Sequence, residues 1–294
     1  RYDASLWVQR AIRKERDNAD YLHTYADLLW TIGRRGTARK YAKRAIEKDQ
    51  NHAGALYLAG RYAAWQMTRY LDAEWVDYNY DDYGVTEKTY SLERFAEPER
   101  KEAEDYLSRA LSADPEHRPA RILLGLVYYE SGMPDELIDL FRDQLKDESE
   151  SSEAFFAVGL GYQAKEDLKT AYRAYVSGLA RMTEEEQLFM KSVFLMADRK
   201  AIKEEETPAT EEALRRFWTG RDPLYLTPVN ERLMEHCGRA AYANLRFGEP
   251  VRGIPGWTTA KGEAYIRYGR PVSRRVTPAE IDTHLDKPSW YQNY

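Results

Sequence analysis

The sequence predicts a mainly α-helical protein in which stacked helix pairs form a solenoid, followed by a small, incomplete α+β domain. Apolar residues recur at helical spacing over the first two thirds of the 294 residues. Four segments in this part repeat the same order of small and large residues. A different pattern follows at GWTTAKGEAYIRYGRP, residues 256–271, where an alternating Tyr-Ile-Arg-Tyr run predicts a strand.

The repeated segments begin at Ala19, Ala53, Arg118 and Ser152, and the starts are 34 residues apart in the first pair and again in the second pair. A small residue at the eighth position lets the two helices of a segment approach closely, while larger residues fill the space to the next segment. The first-helix faces are Leu22, Tyr25, Ala26, Leu29; Leu56, Ala59, Gly60, Ala63; Arg121, Leu124, Gly125, Tyr128; and Phe155, Val158, Gly159, Tyr162. The second-helix faces are Ala38, Ala42, Ala45; Ala103, Leu107, Ala110; Leu137, Phe141, Gln144; and Ala171, Tyr175, Gly178, with Gln144 the one poor fit.

The stretch LSADPEHRPARILLGLVYYESG, residues 111–132, adds an Asp-Pro break, a Leu-Gly pair and a closing glycine to this spacing. The repeated segments resemble the tetratricopeptide repeat. This resemblance implies antiparallel helix pairs whose first helices line a concave groove that binds partner protein. A generic helical bundle is the alternative, but it does not explain why small and large positions recur at one spacing.

The chain divides into four parts. Residues 1–18 predict a capping helix whose Leu6, Val8 or Ile12 and Trp7 can cover the open first repeat. Residues 19–182 hold the four repeats, with an insertion at about 68–98. Residues 183–216 predict connecting helices, and residues 217–294 form the C-terminal domain.

The insertion is acidic and rich in tyrosine: nine acidic, three basic and five tyrosine residues lie between positions 67 and 99. We expect a solvated loop that packs its tyrosines on neighbouring helices. Asp77, Asn79 and Asp81 have the spacing of three ligands of a calcium loop, which is the alternative. The glycine and the bidentate glutamate of such a loop are missing, so no metal site is predicted.

The tetratricopeptide resemblance implies that the second, fifth, ninth and twelfth residues of each first helix line the groove. An aromatic and aliphatic surface of this kind, with few lysines, favours a protein interface. The alternative is that the C-terminal region or the insertion of this chain fills the groove. The predicted partner-binding residues, called here the concave-face residues, are His23, Asp27, Trp30, Tyr57, Arg61, Ile122, Leu126, Tyr129, Phe156, Leu160 and Gln163.

The C-terminal part resembles the GWxTD domain, a bacterial domain of uncharacterised function found behind helical repeats in exported proteins. The resemblance is carried by Phe217, Trp218, Arg221, Asp222, Pro223, Asn230, Glu231, Arg232, Glu235, Arg239, Tyr242, Ala243, Asn244, Phe247, Gly256, Trp257, Thr259, Gly262, Tyr265, Ile266, Tyr268, Gly269 and Pro271. Ala260 stands where the family has aspartate. The resemblance implies a lipoprotein in a membrane-associated complex of the cell envelope, periplasmic or at the outer membrane, with cytoplasm as the alternative.

Within this part, residues 228–246 predict an amphipathic helix and Ala264 to Tyr268 predict a strand. Glu235 and Arg239, four residues apart, predict an ion pair on the helix. One strand cannot satisfy its own backbone groups, and too little sequence follows Pro271 to complete a sheet. We therefore expect the remaining strands to be absent from this chain, disordered or supplied by a partner.

The sequence favours a non-enzymatic scaffold that binds one or more proteins and uses no cofactor. No segment approaches the roughly 20 apolar residues of a membrane span, and the net charge of −5 with no basic block argues against nucleic acid. The His residues are scattered, and Cys237 on an apolar helix face predicts a packed thiol. The alternative is an enzyme or glycan-binding module, with Asp222 and Glu231 as an acid/base pair or Trp257 and Tyr265 as a sugar subsite.

Overall fold

The computed structural model describes residues 2–72, 74–81, 84–91, 93–146, 152–191, 211–220 and 229–270. They belong to two compact units, which divide between Val127 and Tyr128 and are called here unit 1 and unit 2. In unit 1 the elements are α1 (Tyr2–Lys14), α2 (Ala19–Thr31), α3 (Arg35–Lys48), α4 (Ala53–Asp72), β1 (Glu74–Asp81), β2 (Gly84–Ser91), α5 (Ala96–Ala113) and most of α6 (Arg118–Glu130). In unit 2 they are α7 (Pro134–Arg142), α8 (Ser152–Ala164), α9 (Leu168–Ala180), α10 (Glu184–Lys191), α11 (Glu211–Gly220), α12 (Glu231–Phe247) and α13 (Ala260–Tyr268).

Unit 1 is built from helix pairs, α2 with α3 and α4 with α5, and their predicted apolar faces are buried. The small residue at the eighth position of the repeat explains the close approach of each pair. A Cβ atom added to Gly60 of α4 would lie 2.7 Å from the Leu107 side chain of α5. The prediction of a helical solenoid is therefore confirmed as a mainly α fold of packed helix pairs.

The insertion forms an antiparallel β-hairpin rather than the predicted loop. Strands β1 and β2 pair along their whole length, from Glu74 opposite Ser91 to Asp81 opposite Gly84. Helix α4 continues to Asp72, five residues beyond the predicted end near Met67. The three residues of the calcium alternative, Asp77, Asn79 and Asp81, lie in the extended backbone of β1.

Helix α1 covers the first repeat with one face only. Val8 and Ile12 pack against a buried cluster that includes Tyr25 and Leu29. Trp7, by contrast, is 66% exposed, and Leu6 is also exposed. The capping interaction therefore depends on two of the four predicted residues, spaced four apart on one helix face.

In unit 2, helices α8 and α9 form a pair that is packed as closely as the pairs of unit 1. A Cβ atom added to Gly159 would lie 2.6 Å from the Tyr175 ring, and one added to Gly178 would lie 2.7 Å from the Phe156 ring. Helix α12 packs on α8, and α13 packs on α12. Asn230 begins α12, since its Oδ1 accepts a hydrogen bond from Leu233 N at 2.8 Å.

The predicted strand from Ala264 to Tyr268 is wrong, because these residues form the second half of helix α13. The buried residues of this helix, Gly262 and Ile266, are four apart, which is helical spacing. The alternation that suggested a strand covers only five residues, too few to distinguish the two periods. Gly269, with a φ of 76°, ends the helix rather than closing a strand.

The rest of the predicted α+β domain is described only in part. Residues 229–270 are helical with short connecting turns, and the isolated bridge between Glu249 and Ile254 closes one turn. Residues after 270 lie outside the described part, and so does the expectation about missing strands. Among the described helices, none combines the length and the apolar character needed to cross a bilayer.

Candidate functional site

The concave-face residues of unit 1 centre on an aromatic and guanidinium contact. The Arg61 guanidinium carbon lies 4.5 Å from the centroid of the Trp30 ring and 5.8 Å from that of Tyr57. Trp30 and Arg61 are half-buried, while Tyr57 is buried. Burial raises the pKa of Tyr57, and the neighbouring Arg61 charge opposes this. The structure therefore brings together three of the predicted residues, from α2 and α4.

Two further arginines extend this contact into a row of alternating rings and guanidinium groups. Arg35 lies 5.5 Å from the Trp30 ring and 4.5 Å from the Trp65 ring. Arg69 lies 4.8 Å from the Trp65 ring. We call the set Arg61, Trp30, Arg35, Trp65 and Arg69 the ladder. Cation–π contacts of this length are attractive and hold the guanidinium groups in place.

The three arginines of the ladder have no carboxylate partner in the part of the chain that the structure describes. Within the described part of the chain, none of Arg61, Arg35 and Arg69 has an acidic group within the 4.0 Å of an ion pair. Nε of Arg35 is buried and has no hydrogen-bond partner among the described residues. Burial lowers the pKa of Arg35, and the charges of Arg61 and Arg69 lower it further. The ladder is therefore a local concentration of positive charge.

The remaining concave-face residues of unit 1 divide into a polar edge and a buried part. His23 is half-buried, its ring centroid 4.8 Å from that of His52, and burial lowers its pKa. Asp27 is exposed. Ile122 and Leu126 are buried, each 4% exposed, and offer no free surface. The accessible part of the predicted surface in unit 1 is thus formed by α2 and α4.

In unit 2 the groove over α8 is covered by the chain itself. Phe156 is 1% and Leu160 3% exposed. Helix α12 packs on α8, and the buried Trp257 ring lies 6.3 Å from the Phe156 ring, centroid to centroid. A partner cannot contact Phe156 or Leu160 in this arrangement. In this part of the groove, the C-terminal region of the chain fills the space, which is the alternative that the sequence left open.

Tyr129 and Gln163 line a cavity of about 190 Å³ that remains between α8, α12 and α13. The Gln163 Oε1 accepts a hydrogen bond from the buried Tyr175 hydroxyl at 2.7 Å. A Cβ atom on Gly238 would lie 2.2 Å from the same oxygen, so the glycine makes room for the amide. The other lining residues are Leu160, Ala164, Glu235, Arg239, Tyr242 and Tyr265.

Three tyrosine rings that line this cavity pack against one another at tilted angles. The Tyr242 ring lies 4.5 Å from the Tyr265 ring and 5.5 Å from the Tyr129 ring. The Tyr242 hydroxyl donates a hydrogen bond to the Glu130 carboxylate, which also has Arg246 at 3.6 Å. Burial raises the pKa of Tyr242 well above its usual range and raises that of Tyr265 to about 12. The tyrosines are therefore neutral hydrogen-bonding groups at physiological pH.

The Gly-Trp-x-Thr segment that carries the GWxTD resemblance forms the turn between α12 and α13. Gly256 N donates to Asn244 Oδ1 at 2.9 Å, and Asn244 Nδ2 donates to Glu153 of α8 at 3.2 Å. Thr259 caps α13 by accepting from Gly262 N at 3.1 Å. A short helical turn, Gly256–Thr258, places Trp257 in the core. These residues hold helices together through hydrogen bonds and packing.

The charged residues of the same resemblance also make structural contacts. Glu235 pairs with Arg232 and with Arg239, both at 2.5 Å, which confirms the predicted pair of Glu235 with Arg239. Arg239 also donates to the carbonyl oxygens of Ile266 and Arg267 near the end of α13, at 3.0 and 3.3 Å. Tyr268 is exposed.

The acid/base pair of Asp222 and Glu231, proposed as an alternative, lies only in part among the described residues. Glu231 lies in the first turn of α12, whereas Arg221 and Asp222 lie outside the described part. Cys237 is buried in the core of α12, as a packed thiol. Among the described residues, no group of three or more His, Cys, Asp and Glu side chains is placed to hold a metal ion.

Helix pairs with a small residue at the eighth position, packed against the second helix, make this chain a helical repeat protein. A crystal structure of MamA is similar to it at 20% identity, covering 63% of this chain and 82% of that chain with a TM-score of 0.45. TTC0263, a thermophilic TPR protein in Thermus thermophilus, has 18% identity, covers 65% and 88%, and has a TM-score of 0.44. YrrB, a TPR protein with an unusual peptide-binding site, has 18% identity, covers 61% and 94%, and has a TM-score of 0.30.

No family model matches the chain, and no curated protein matches it. The GWxTD resemblance therefore remains a prediction from the residues that carry it.

The sequence interpretation did not include Arg35, Trp65 and Arg69 in the site. A signal for them exists, because Arg61, Trp65 and Arg69 follow one another at four-residue spacing on α4. Arg35 and Arg69 also occupy the same position in successive repeats, 34 residues apart. The concave-face rule excluded these residues because it considers only fixed positions of the first helices.

Proposed function

We propose that the protein is a non-enzymatic scaffold subunit that binds partner protein through the accessible concave-face residues of unit 1. The observation that carries the proposal is the contact of Arg61 with Trp30 and Tyr57. Aromatic and arginine side chains dominate the binding energy of protein interfaces. Here they are held in place by ring contacts, so less conformational entropy is lost when a partner binds.

This proposal assigns different roles to the two ends of the predicted surface. In unit 1, Trp30 and Arg61 are half-buried and partly accessible to a partner. In unit 2, Phe156 and Leu160 are buried and contribute to the core. Partner binding is therefore assigned to Trp30, Arg61 and the neighbouring His23 and Asp27.

The test is capture of the native partner by the full chain, followed by affinity measurement with the purified partner. Replacement of Trp30 and Arg61 by Ala is expected to weaken binding by about 2 kcal/mol or more, as for interface anchors. Trp7→Ala is the matched control, because Trp7 is an exposed tryptophan of the same unit that also contacts an arginine. Equal binding by both variants and the parent would contradict the proposal.

We further propose that the protein belongs to a membrane-associated complex of the bacterial cell envelope, in the periplasm or at the outer membrane. The support is the GWxTD resemblance, whose residues include Trp257, Thr259 and Tyr265. Fractionation of the source cells, with detection of the native protein, tests this location. Recovery in the cytoplasmic fraction alone would overturn it.

A glycan-binding module is the second candidate, and the cavity lined by Tyr129, Gln163, Tyr242 and Tyr265 favours it. Its volume of about 190 Å³ suits one sugar ring, and its tyrosine rings and amide offer stacking and hydrogen bonds. Titration with a panel of neutral mono- and disaccharides tests this candidate. The expected result is binding that Tyr265→Ala abolishes, and no binding at millimolar sugar would exclude it.

A further inference from the structure

We propose that the ladder binds a partner segment rich in aspartate and glutamate side chains, whose carboxylates bridge Arg61, Arg35 and Arg69. The inference rests on the proposed function, because it names the kind of partner segment that the surface of unit 1 takes. It also adds Arg35, Trp65 and Arg69, which do not belong to the concave-face residues.

The ladder presents its guanidinium groups in a form suited to carboxylates. A guanidinium group that contacts an aromatic ring through its face keeps its N–H donors in the plane, at its edge. Arg35 contacts both Trp30 and Trp65, and each ring also contacts a second arginine. A carboxylate accepts two parallel hydrogen bonds from such an edge, which is stronger than a contact with a flexible lysine. The rings therefore preorganise three donor groups.

Among the described residues, the ladder arginines differ from those basic side chains of unit 1 that have a carboxylate partner. Arg39 and Lys43 both pair with Glu102. Arg100 pairs with Glu97 and Glu104 at 2.8 and 2.7 Å. The ladder arginines have no such partner among the described residues. A carboxylate supplied from outside would accept hydrogen bonds from the accessible N–H groups of these arginines and reduce the repulsion between the three charges.

An acidic protein segment suits this surface better than nucleic acid. Residues 1–127 contain 21 Lys and Arg and 21 Asp and Glu, so the unit has no net charge to attract a long polyanion. Trp30 and Trp65 each already contact two guanidinium groups, which leaves less ring surface for a stacking base. A short segment with a few carboxylates needs only the local charge of the ladder.

The repeat positions suit an extended segment. Arg35 and Arg69 occupy equivalent positions in successive repeats, and Arg61, Trp65 and Arg69 lie on one face of α4. The donors are thus distributed along two repeats rather than gathered at one point. Recognition should depend on side-chain carboxylates and not on a free C-terminal carboxylate.

The experiment measures binding of the full chain to a fluorescent 12-residue peptide of alternating Glu and Ser, amidated at its C-terminus. The matched probes are the same peptide with Gln for Glu and a single-stranded oligonucleotide of equal length. We expect the acidic peptide to bind, its affinity to fall steeply with added salt, and the Gln peptide not to bind. R35Q, R61Q and R69Q should each weaken binding at least fivefold.

R109Q is the matched control, because Arg109 lies in unit 1 and pairs with Asp105 at 3.3 Å. It should change the affinity less than twofold. If a Gln variant loses its helical content, R61K is measured in its place. Lysine keeps the positive charge but lacks the planar donor edge of arginine, so we expect R61K to weaken peptide affinity threefold or more. Equal binding of the acidic and Gln peptides, an equal loss in R109Q, or tighter binding of the oligonucleotide would overturn the proposal.

Two further outcomes distinguish failure of this proposal from failure of the proposed function, and an external acidic segment from the acidic hairpin of this chain. If no acidic peptide binds but loss of Trp30 still abolishes native partner binding, only the acidic-segment inference fails. The acidic hairpin of β1 and β2 is tested by replacing Glu74, Asp77, Asp81 and Glu87 with their amides. A tenfold gain in peptide affinity would show that the hairpin occupies the ladder, and the proposal of an external segment would be overturned.

Discussion

At the scale of single residues, Gly256 shows why a sequence motif can be structural. The space for a side chain at this position is occupied by backbone, because an added Cβ atom would lie 1.9 Å from the Ala243 carbonyl oxygen. The same turn hydrogen-bonds to Asn244 and buries Trp257. Backbone atoms of a helix cannot move aside as a flexible side chain can. The glycine is therefore required for α12 and the turn to meet.

Gly256→Ala is expected to destabilise the protein by about 3 kcal/mol, the upper part of the range for overpacking. The measurement is the free energy of unfolding in urea, followed by circular dichroism. Gly253→Ala is the matched control, because Gly253 has a φ of 66° but open space around its Cα. Its left-handed backbone alone should cost about 1 kcal/mol. An equal cost for both variants would contradict the backbone clash.

His236 predicts a pH dependence of stability. Its imidazole is buried, Nε2 lies 2.7 Å from the Met190 carbonyl oxygen, and burial lowers its pKa from 6.5 to about 4. The charges of Arg232 and Arg239 lower it further, whereas Glu235 and the hydrogen bond with the Met190 carbonyl oppose the shift. As the pH falls below 6.5, the unfolded chain binds a proton that the folded chain does not. Stability is therefore full above pH 6.5 and decreases toward pH 4.

Between pH 6.5 and pH 5 this histidine should cost about 2 kcal/mol of stability. Urea unfolding at pH 5.0, 5.5, 6.0, 6.5 and 7.5 measures the slope. His236→Gln keeps a hydrogen-bond donor without titrating, so it should flatten the slope over this interval. His52, which is not fully buried, provides the control His52→Gln. A parental slope that His236→Gln leaves unchanged would exclude His236 as its cause.

At the scale of elements, the sequence predicted those helices whose apolar faces are long and regular. The helix pairs and α12 follow from small and large residues at helical spacing over a dozen or more residues. The hairpin of β1 and β2 was not predicted, because acidic residues and tyrosines in alternation also fit a solvated loop. Helix α13 was misread as a strand, because Thr259 was not recognised as its cap. The ladder was missed because it depends on contacts between three helices.

Helix α13 offers a test of the one departure from the GWxTD pattern. Ala260 is the first residue of α13, directly after the capping Thr259. Ala260→Asp would place a negative charge at the positive end of the helix dipole, and should stabilise the protein by about 0.5 kcal/mol. The thermal unfolding midpoint at low salt measures this, with Ala260→Asn as the uncharged control. A lower midpoint for the Asp variant would show that this position does not tolerate the family residue.

At the scale of the whole molecule, one repeating surface has two roles. In unit 1, Trp30 and Arg61 are partly accessible and stacked on each other. In unit 2, Phe156 and Leu160 are buried where α12 packs on α8, and Trp257 lies against Phe156, so these concave-face residues contribute to the core. The sequence rule did not distinguish these roles, because it selects residues by their position in the repeat and not by their polarity. The fifth and ninth positions are the polar His23 and Asp27 in the first repeat and the apolar Phe156 and Leu160 in the last, where α12 packs on α8.

This division gives opposite expectations for two substitutions on equivalent faces. Phe156 is 1% exposed and contacts both Tyr175 and Trp257, so Phe156→Ala should reduce the free energy of unfolding by about 4 kcal/mol. It should leave partner affinity unchanged at temperatures where the protein remains folded. Trp30→Ala should reduce partner affinity and reduce the free energy of unfolding less than Phe156→Ala does. Trp30 is only half-buried, so its removal creates a smaller buried cavity. Unfolding curves and partner titrations on both variants measure the two effects. A loss of partner affinity in the folded Phe156→Ala variant would assign the interface to unit 2 instead.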